Sequence, residues 1–323
     1  MSPRLSMKQS IGAILDGTMS DEEALRVLSR TDEANITAEQ IAGAVEAVMD
    51  RCPPFPAFPH AVDCCGTGGD YQHTLNISTA TALVAAACGA QVAKHGNRAI
   101  TSQSGSADVL EALGVNTNLS PEKAEAVLRE VGICFLFAPA YHPGFARVAP
   151  LRKQIGHRTI FNLLGPLCNP ARVDQQLIGV YSGALVMPVA GACNLLGRKH
   201  VLVVHGQDGS DELSISTPSV VAELVHGTVT RSEMEPRRVG LPFRLAEALK
   251  GGDAQQNAAA LLEIFDGVEN AYAEAVIFNA AAVLYVAGKA GALRGGATMA
   301  REALATGEAK RILQHLIEAT NRP

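Results

Sequence analysis

Three glycines and an acid follow a short apolar run in DCCGTGGD, residues 63–70. Glycines allow a tight turn whose backbone N–H groups converge, and such a turn can bind an anion. A helix that begins soon after the turn directs the positive end of its dipole at the same place. The spacing of Gly66, Gly68 and Gly69 fits neither the P-loop nor the dinucleotide-binding pattern. Phosphate binding is therefore one interpretation. The other, commoner for such a turn alone, is a plain strand-to-helix connection.

Polar residues after the turn favour the phosphate interpretation. An acid, an amide, two hydroxyls and a lysine at the end of the next predicted strand belong to this group: Asp70, Asn76, Ser78, Thr79 and Lys94. Phosphates are bound by N–H donors, hydroxyls and the point charge of lysine. Ser78 and Thr79 also suit the cap of a helix, which is the commoner role for these residue types. Both roles are compatible.

A second motif, HGQDGSDELSIS at residues 205–216, places two carboxylates side by side after an apolar strand. Asp211 and Glu212 in such a turn would ordinarily be solvated. Magnesium, however, is generally held by one or two carboxylates together with waters and phosphate oxygens. Because this turn accompanies a glycine-rich anion loop, a magnesium-binding role is favoured.

A third segment, FNLLGPLCNPA at residues 161–171, predicts a stiff, irregular stretch that ends a helix. A purely structural role is a reasonable interpretation of it. The basic residues near it form a solvated face, or one of them clamps a carboxylate. They are Arg152, Lys153, Arg158 and Arg172.

Composition and charge exclude several classes of protein. The chain has 323 residues, of which 47% are apolar and 18% charged, enough for a large core in two domains or in one domain with a subdomain. No apolar stretch could span a bilayer, and the opening MSPRLSMKQS lacks a signal-peptide pattern, which predicts a cytoplasmic protein with no membrane partner. Seven cysteines without a C-x-x-C pair argue against disulfides and zinc. A net charge of −5 without a basic cluster predicts no nucleic-acid partner.

The sequence pattern changes at CPPFPAFPH, residues 52–60, whose four prolines cannot continue a helix. Before it, Ser20 and Thr37 begin two predicted helices. After it, short apolar runs alternate with alanine-rich helices, as in an α/β fold. Predicted strands span 61–65, 91–95, 134–139, 176–181, 200–206, 219–225 and 227–234. Predicted helices span 79–88, 106–113, 121–130, 187–196, 253–265, 271–287 and 296–305.

The motifs together resemble the anthranilate phosphoribosyltransferase family, in the right order and along nearly the whole chain from residue 61. They are GTGGD, NIST, KHGNR, SGSADVLEALG, FAPAYHP, R-K-x-x-G-x-R-T-I-F-N-L-L-G-P-L-x-N-P, HG-x-DG-x-DE and NAAAVLYVAGKA. The resemblance implies a small helical domain beside a larger α/β domain with a central, mainly parallel sheet, and a homodimer. We expect the helical domain at residues 1–57, with a contribution from 144–172, and the α/β domain at 58–323.

The resemblance also implies the reaction, in which anthranilate and phosphoribosyl pyrophosphate give N-(5-phosphoribosyl)anthranilate and pyrophosphate, with two magnesium ions per site. Phosphoribosyl pyrophosphate would be bound by Gly66, Gly68, Gly69, Asp70, Thr74, Asn76, Ser78, Thr79, Lys94 and Ser106. Anthranilate would be bound by Gly66, His95, Asn97, His142, Arg152, Gly165 and Pro166, with Ala138 nearby. Magnesium would be held by Ser78, Asp211 and Glu212.

Chemistry gives these implied roles a reason. Positive charge develops on the ribose and negative charge on pyrophosphate, so fixed donors, Lys94 and magnesium held by Asp211 and Glu212 would act electrostatically. The aniline nitrogen is neutral and needs positioning more than a strong base. Arg152 would orient the carboxylate of anthranilate, and Asn97 would hold its amine.

The chain departs from the family pattern at four places. Tyr71 stands where the family usually has glycine, Leu75 where it has phenylalanine, and Ser210 where it has an apolar residue. The N-terminal segment, with RTDEANIT in place of the usual basic run, implies a shortened first helix in the region that builds the dimer in relatives. Two alternatives follow: an enzyme like the pyrimidine nucleoside phosphorylases, and a non-catalytic relative that binds nucleic acid or a partner.

Overall fold

A seven-stranded sheet forms the centre of the protein in a computed structural model that describes residues 1–99 and 103–322. The strands are β1 (Val62–Gly66), β2 (Val92–Gly96), β3 (Ile133–Phe137), β4 (Gln175–Gly179), β5 (His200–Gly206), β6 (Ser219–Val225) and β7 (Thr228–Met234). Their order is β3-β2-β1-β4-β5-β6-β7; the first five are parallel, and β6 and β7 are antiparallel at one edge. This topology confirms the predicted fold class.

Helices cover both faces of this sheet, which explains why its parallel strands are largely apolar on both sides. The helices are α1 (Pro3–Asp16), α2 (Asp21–Leu28), α3 (Ala38–Met49), α4 (Ile77–Ala87), α5 (Ser106–Ala112), α6 (Pro121–Val131), α7 (Ala138–Tyr141), α8 (Phe145–Ile155), α9 (Phe161–Leu167), α10 (Val186–Leu195), α11 (Ala254–Phe265), α12 (Ala271–Val286), α13 (Leu293–Ala305) and α14 (Glu308–Asn321). Within the described residues, no helix is both long and apolar enough to cross a membrane.

Local sequence signals fix several of these ends. Ser20 caps α2, and Thr37 forms a capping box with Gln40 at α3. Gly89 follows α4 with a φ of 81°, and Gly114 follows α5 with a φ of 92°. Such positive φ angles favour glycine, so these helices end where the sequence predicts.

Three sequence-based expectations are wrong. The predicted strand 134–139 ends at Phe137, because Ala138 and Pro139 begin α7. The segment 161–171 does not end a longer helix; its first seven residues form α9, with Pro166 inside. Ser78 and Thr79 lie inside α4, and the cap position belongs to Asn76, whose side chain makes no capping bond.

The C-terminal helix lies beyond the predicted elements, which end at residue 305. The last helix, α14, buries Ala309, Leu313 and Leu316 at helical spacing against the rest of the core. Pro323, the final residue of the predicted α/β domain, lies outside the described residues.

Two apolar clusters lie on opposite faces of the sheet. One contains residues of α4 to α6 and α11 to α14, and it includes Leu202 and Val204 of β5. The other contains residues of α1 to α3 and α8 to α10, and it includes Val201 and Val203. Successive apolar side chains of β5 thus point alternately into the two clusters, as expected for a strand buried on both sides. The helices of residues 1–57 therefore share a core with part of 144–172, and the domain division at residue 57 stays a prediction.

Candidate active site

The predicted site residues gather where β1, β2 and β5 end. The glycine loop follows β1, the segment 94–97 spans the end of β2, and the Asp211–Glu212 turn follows β5. Since these strands are parallel, their carboxyl ends meet at one edge of the sheet, the usual place for ligands in such folds. The sheet topology thus brings together three motifs that are far apart in the sequence.

The glycine loop fits closely against the acidic turn. Gly66 of β1 and its partner in β4, Gly179, both face Asp211, and a side chain at either position would overlap Asp211. Gly68 and Gly69 have φ of 63° and 72°, in the left-handed region that glycine tolerates. The Gly68 N–H donates to Asp211 Oδ2 at 2.7 Å. The glycines are therefore required for close approach as well as for the turn.

Lys94 and Ser78 form the second part of this arrangement. Lys94 is only 2% exposed, and its Nζ donates to the Cys64 carbonyl at 2.7 Å and to Ser78 Oγ at 3.3 Å. The Ser78 N–H, in the first turn of α4, favours the ionised form of Glu212 and opposes the rise of its pKa. Within the described residues no carboxylate lies within 4.0 Å of the Lys94 ammonium group. A buried cation with neutral partners suits an anionic ligand.

The two carboxyl groups of the acidic turn lie close together, and their surroundings disfavour the ionised forms. Burial raises the pKa of Asp211, and the nearby charge of Asp70 raises it further. Burial and the charge of Asp211 raise the pKa of Glu212 to about 8, although Lys94 opposes the shift. A cation beside these oxygens would relieve the repulsion, and hard oxygen donors are what magnesium prefers. The residues present therefore fit a magnesium ion.

The described residues contain no cluster of three or more His, Cys, Asp or Glu that could hold a metal by itself. A magnesium ion held by Asp211 and Glu212 would therefore keep coordination positions open for the oxygens of a phosphate ligand. The turn itself is fixed by Asp208, which accepts bonds from Ser210 Oγ and Ser214 Oγ at 2.7 and 2.5 Å. Ser210, a departure from the family pattern, thus orders the turn that presents Asp211 and Glu212.

The remaining predicted phosphate residues differ in their surroundings. Asn76 Oδ1 accepts from Asn257 at 2.8 Å, and Thr74 pairs with Lys250 in an isolated bridge. Ser106 Oγ donates to the Asn97 carbonyl at 3.2 Å. Thr79 is 1% exposed, and its hydroxyl has no hydrogen-bond partner in the described part of the chain. Thr79 is therefore a core residue of α4 in this structure.

Two histidines lie together on the other face of the sheet. The rings of His95 and His142 are 5.2 Å apart and nearly perpendicular. His95 Nδ1 lies 3.0 Å from the Gly165 carbonyl, and His142 Nε2 lies 2.8 Å from the Cys168 carbonyl. Burial lowers the pKa of His95 to about 4 and that of His142 to about 3. Both imidazoles are therefore neutral near pH 7.

Neutrality fixes the tautomers of these two rings. A nitrogen beside a carbonyl oxygen must carry the proton, so His95 Nε2 and His142 Nδ1 are left as acceptors. Both atoms are buried and have no partner among the residues that the structure describes. The pair thus contains two buried acceptor nitrogens whose hydrogen-bonding capacity is unused within the described residues.

The other residues predicted for anthranilate lie around this pair with less direct contact. Gly165 and Pro166 belong to α9, and the Pro166 carbonyl accepts from Gln176 at 2.8 Å. Arg152 is half-buried on α8; burial lowers its pKa, and within residues 1–99 and 103–322 no group hydrogen bonds its guanidinium. Asn97 is exposed after β2, and Ala138 begins α7.

Sequence reasoning missed a buried polar network under the site. Asp63 is fully buried in β1 and accepts from the His95 N–H at 3.2 Å, Asn169 at 2.9 Å and Gln176 at 3.1 Å. Burial raises the pKa of Asp63. An acid inside an apolar strand was the available signal. Asn257 and Tyr272, which bond Asn76, had no comparable signal because they lie more than 180 residues away.

Comparison with known proteins identifies the family. A family model described as the glycosyl transferase family, a/b domain, matches residues 58–310. The anthranilate phosphoribosyltransferase of Novosphingobium aromaticivorans is 46% identical over 310 residues, covering 96% of this chain and 94% of that protein. The chain belongs to the anthranilate phosphoribosyltransferase family. The family member of Brevibacillus brevis is 44% identical over 314 residues, covering 97% of this chain and 92% of that protein.

Solved structures of anthranilate phosphoribosyltransferases share the fold. That of Thermus thermophilus superposes with a TM-score of 0.94 at 39% identity, covering 99% of this chain and 96% of that one. That of Saccharomyces cerevisiae, in complex with PRPP and Mg, gives a TM-score of 0.85 at 28% identity, covering 99% and 93%. Another yeast structure holds 4-fluoroanthranilate.

Proposed function

We propose that the protein transfers the phosphoribosyl group of phosphoribosyl pyrophosphate to the amine of anthranilate. The bond between ribose C1 and the pyrophosphate oxygen breaks, and its electrons leave with pyrophosphate. A bond from C1 to nitrogen forms, and the nitrogen loses one proton, giving N-(5-phosphoribosyl)anthranilate. The observation that carries the proposal is the meeting of the glycine loop, Lys94 and the Asp211–Glu212 turn at one edge of the sheet.

The phosphate end of the site comprises the loop 66–70, Ser78, Lys94, Asp211 and Glu212. In the proposal, the loop N–H groups and Lys94 bind phosphoryl oxygens, and Ser78, Asp211 and Glu212 hold magnesium. Magnesium, when bound, supplies positive charge that neutralises the pyrophosphate group. Two ions per site remain part of the proposal; the four oxygens of the two carboxylates support it.

The anthranilate end comprises His95, His142, Arg152 and Gly165. Arg152 has no partner in the described part of the chain and would bind the carboxylate of anthranilate. The acceptor nitrogens of the two histidines would hold the amine N–H groups and direct the nitrogen lone pair at C1. Gly66, Pro166 and Asn97 complete this end in the proposal.

The two ends have different roles: the phosphate end stabilises developing charge, and the anthranilate end positions the nucleophile. Negative charge develops on the departing pyrophosphate, where Lys94 and the loop N–H groups are fixed in advance. Donors that need no rearrangement lower the barrier most effectively. The anthranilate end carries no charged base, which suits a neutral nucleophile that must be held in position.

Assembly and location are further parts of the proposal. A cleft of about 590 Å³ opens between α1 and α2, lined by Met7, Met19 and Val27 among others. Polar and charged side chains, among them Glu23, Arg26 and Arg30, line the same cleft. A homodimer through the helices of residues 1–57 is part of the proposal because the family resemblance implies it. All seven cysteines are free, which supports a cytoplasmic location.

The test is the loss of anthranilate fluorescence when phosphoribosyl pyrophosphate and magnesium are added to the purified protein. Consumption of anthranilate with release of one pyrophosphate per molecule is the expected result. A folded protein that leaves anthranilate untouched but cleaves thymidine or uridine with phosphate would replace the proposal with a nucleoside phosphorylase.

A further inference from the structure

Arg158, which was not among the residues predicted to bind phosphoribosyl pyrophosphate, contacts the glycine loop. It lies in the connection between α8 and α9, and its Nη2 donates to the Gly69 carbonyl. The guanidinium carbon lies 4.1 Å from the ring centre of Tyr181 and 5.5 Å from that of Tyr71. Both distances are within the range of cation–π attraction. Arg158 therefore contacts two aromatic rings and the backbone of the loop at once.

Tyr181 is the buried side of this arrangement. It follows β4 and is 7% exposed, and its N–H donates to Thr67 Oγ1 at 3.1 Å. The Thr67 N–H in turn donates to the Gly179 carbonyl at 2.9 Å. The base of the glycine loop and the Tyr181 ring are thus both attached to the end of β4.

Tyr71 is the exposed side. It is 63% exposed, and its φ of 59° lies in the left-handed region, which is unfavourable for a residue with a Cβ. Glycine would adopt the same conformation without this strain. The Tyr71 ring lies on the outer end of the loop, with the Arg158 guanidinium carbon 5.5 Å from its centre.

The bond to Gly69 also orients the next N–H group. In a planar trans peptide, the carbonyl of residue 69 and the N–H of residue 70 point in opposite directions. Holding the carbonyl toward Arg158 fixes the Asp70 N–H on the side away from Arg158. Within the described residues, no carboxylate lies within 4.0 Å of the guanidinium to compete for it.

We propose that Arg158 is a positioning residue that preorganises the glycine loop for the pyrophosphate group, with Tyr71 and Tyr181 as its aromatic supports. The inference rests on the proposed function, because it assigns the loop to phosphoribosyl pyrophosphate. A preorganised loop loses less conformational entropy when its ligand binds. Arg158 should therefore affect the affinity for phosphoribosyl pyrophosphate and leave the affinity for anthranilate nearly constant.

Steady-state kinetics of loop variants test this role. Arg158→Ala should raise the KM for phosphoribosyl pyrophosphate about tenfold, the size expected for one lost bond from a charged donor. Arg158→Lys keeps the charge but loses the planar stack, and should fall between Ala and the native protein. Tyr71→Leu should raise the same KM about threefold, from a lost cation–π contact. Added to Arg158→Ala, it should have no further effect.

A matched control is Arg237→Ala, which removes a similar stack, 5.0 Å from the ring of Phe243, elsewhere on the protein. The thermal midpoint of each variant reports folding. An equal rise in both KM values, or additive effects of the Arg158 and Tyr71 substitutions, would overturn the proposal.

A readout without catalysis separates this inference from the proposed function. The chain contains no tryptophan, so Tyr71→Trp creates a single fluorescent reporter on the loop. Acrylamide quenching of this reporter should rise when Arg158→Ala is added, and magnesium pyrophosphate should bind the double variant more weakly. If acrylamide quenching is the same with and without Arg158→Ala, the inference is overturned even when the enzyme is active. A response in a protein without transferase activity would support the positioning role and refute the proposed function alone.

Discussion

The phosphate end and the anthranilate end of the site both contain titratable groups shielded from solvent, yet shielding changes their charge in different ways. At the phosphate end, the pKa of Glu212 is raised to about 8 and that of Asp211 is also raised. At the anthranilate end, the pKa of His95 is lowered to about 4. In each case burial favours the neutral form. The difference is that carboxylates close together can be ionised by a bound cation, whereas the histidines have no ionic partner within the described residues to charge them.

The two ends meet at one edge of the sheet but are built from its opposite faces. Lys94 and His95 are neighbours in β2, so their side chains point to opposite faces. Lys94 reaches Ser78 of α4, and His95 reaches Gly165 of α9. One strand thus supplies a cation to one end and a neutral acceptor to the other. A charged and an uncharged subsite can therefore be built only one residue apart.

The largest effect is expected from removing the charges of the acidic turn. Asp211→Asn combined with Glu212→Gln should lower kcat by about 10³-fold or more, because the developing charge of pyrophosphate loses its counter-ion. The assay is anthranilate fluorescence at saturating magnesium. Glu130→Gln, at an exposed ion pair with Arg322, is the control. Comparable losses in both variants would contradict the proposed metal site.

Arg152→Ala should act on the other end alone. Loss of a charge-assisted bond worth about 1.5–3 kcal/mol should raise the KM for anthranilate about 10- to 100-fold. The KM for phosphoribosyl pyrophosphate should stay within about twofold of the native value, since the two ends are distinct. Lys153→Ala, the exposed neighbour on the same helix, serves as the control. A rise in both KM values would show that Arg152 spans the two ends.

The pH dependence of magnesium binding should distinguish the two ends further. Only the deprotonated Glu212 can hold magnesium, so protons compete with the ion below its raised pKa of about 8. The magnesium concentration for half-maximal activity should rise by up to about tenfold per unit as the pH falls from about 8 to about 7. It should level off above about pH 8.5.

The KM for anthranilate, measured in the same buffers, is the internal control. His95 stays neutral from about pH 6 to about pH 9, because its pKa lies at about 4. That KM should therefore be flat over the range in which the magnesium requirement changes. A constant magnesium requirement between about pH 7 and about pH 8 would refute the assignment of Glu212.

The smallest effect is expected at Thr79. Its hydroxyl is buried without a partner in the described residues, so Thr79→Val should leave the unfolding free energy unchanged or raise it by up to about 1 kcal/mol. Urea denaturation measures this change. Thr81→Val, with a similarly buried hydroxyl on the same helix, is the matched variant. If Thr79→Val raised the KM for phosphoribosyl pyrophosphate tenfold and Thr81→Val did not, Thr79 would belong to the phosphate end of the site.

Local sequence signals were enough to predict the strands, most helices and the three motifs. Apolar runs, capping residues such as Thr37, and glycines with positive φ such as Gly89 act over a few residues, and local structure follows from them. The motifs, by their residues and their order along the chain, also indicate the family. The acidic turn and the glycine loop could therefore be assigned to a common site.

Contacts between distant residues, by contrast, could be read only from the folded chain. The bond from Gly68 to Asp211 joins residues 143 positions apart, and Arg158 reaches Gly69 across 89 positions. Nothing in the local sequence of Arg158 distinguished it from Lys153 or Arg172. The pKa shifts of Glu212 and His95 likewise depend on burial and on neighbours that the fold supplies. Local propensity fixes elements, whereas charge state and contact depend on how distant elements pack.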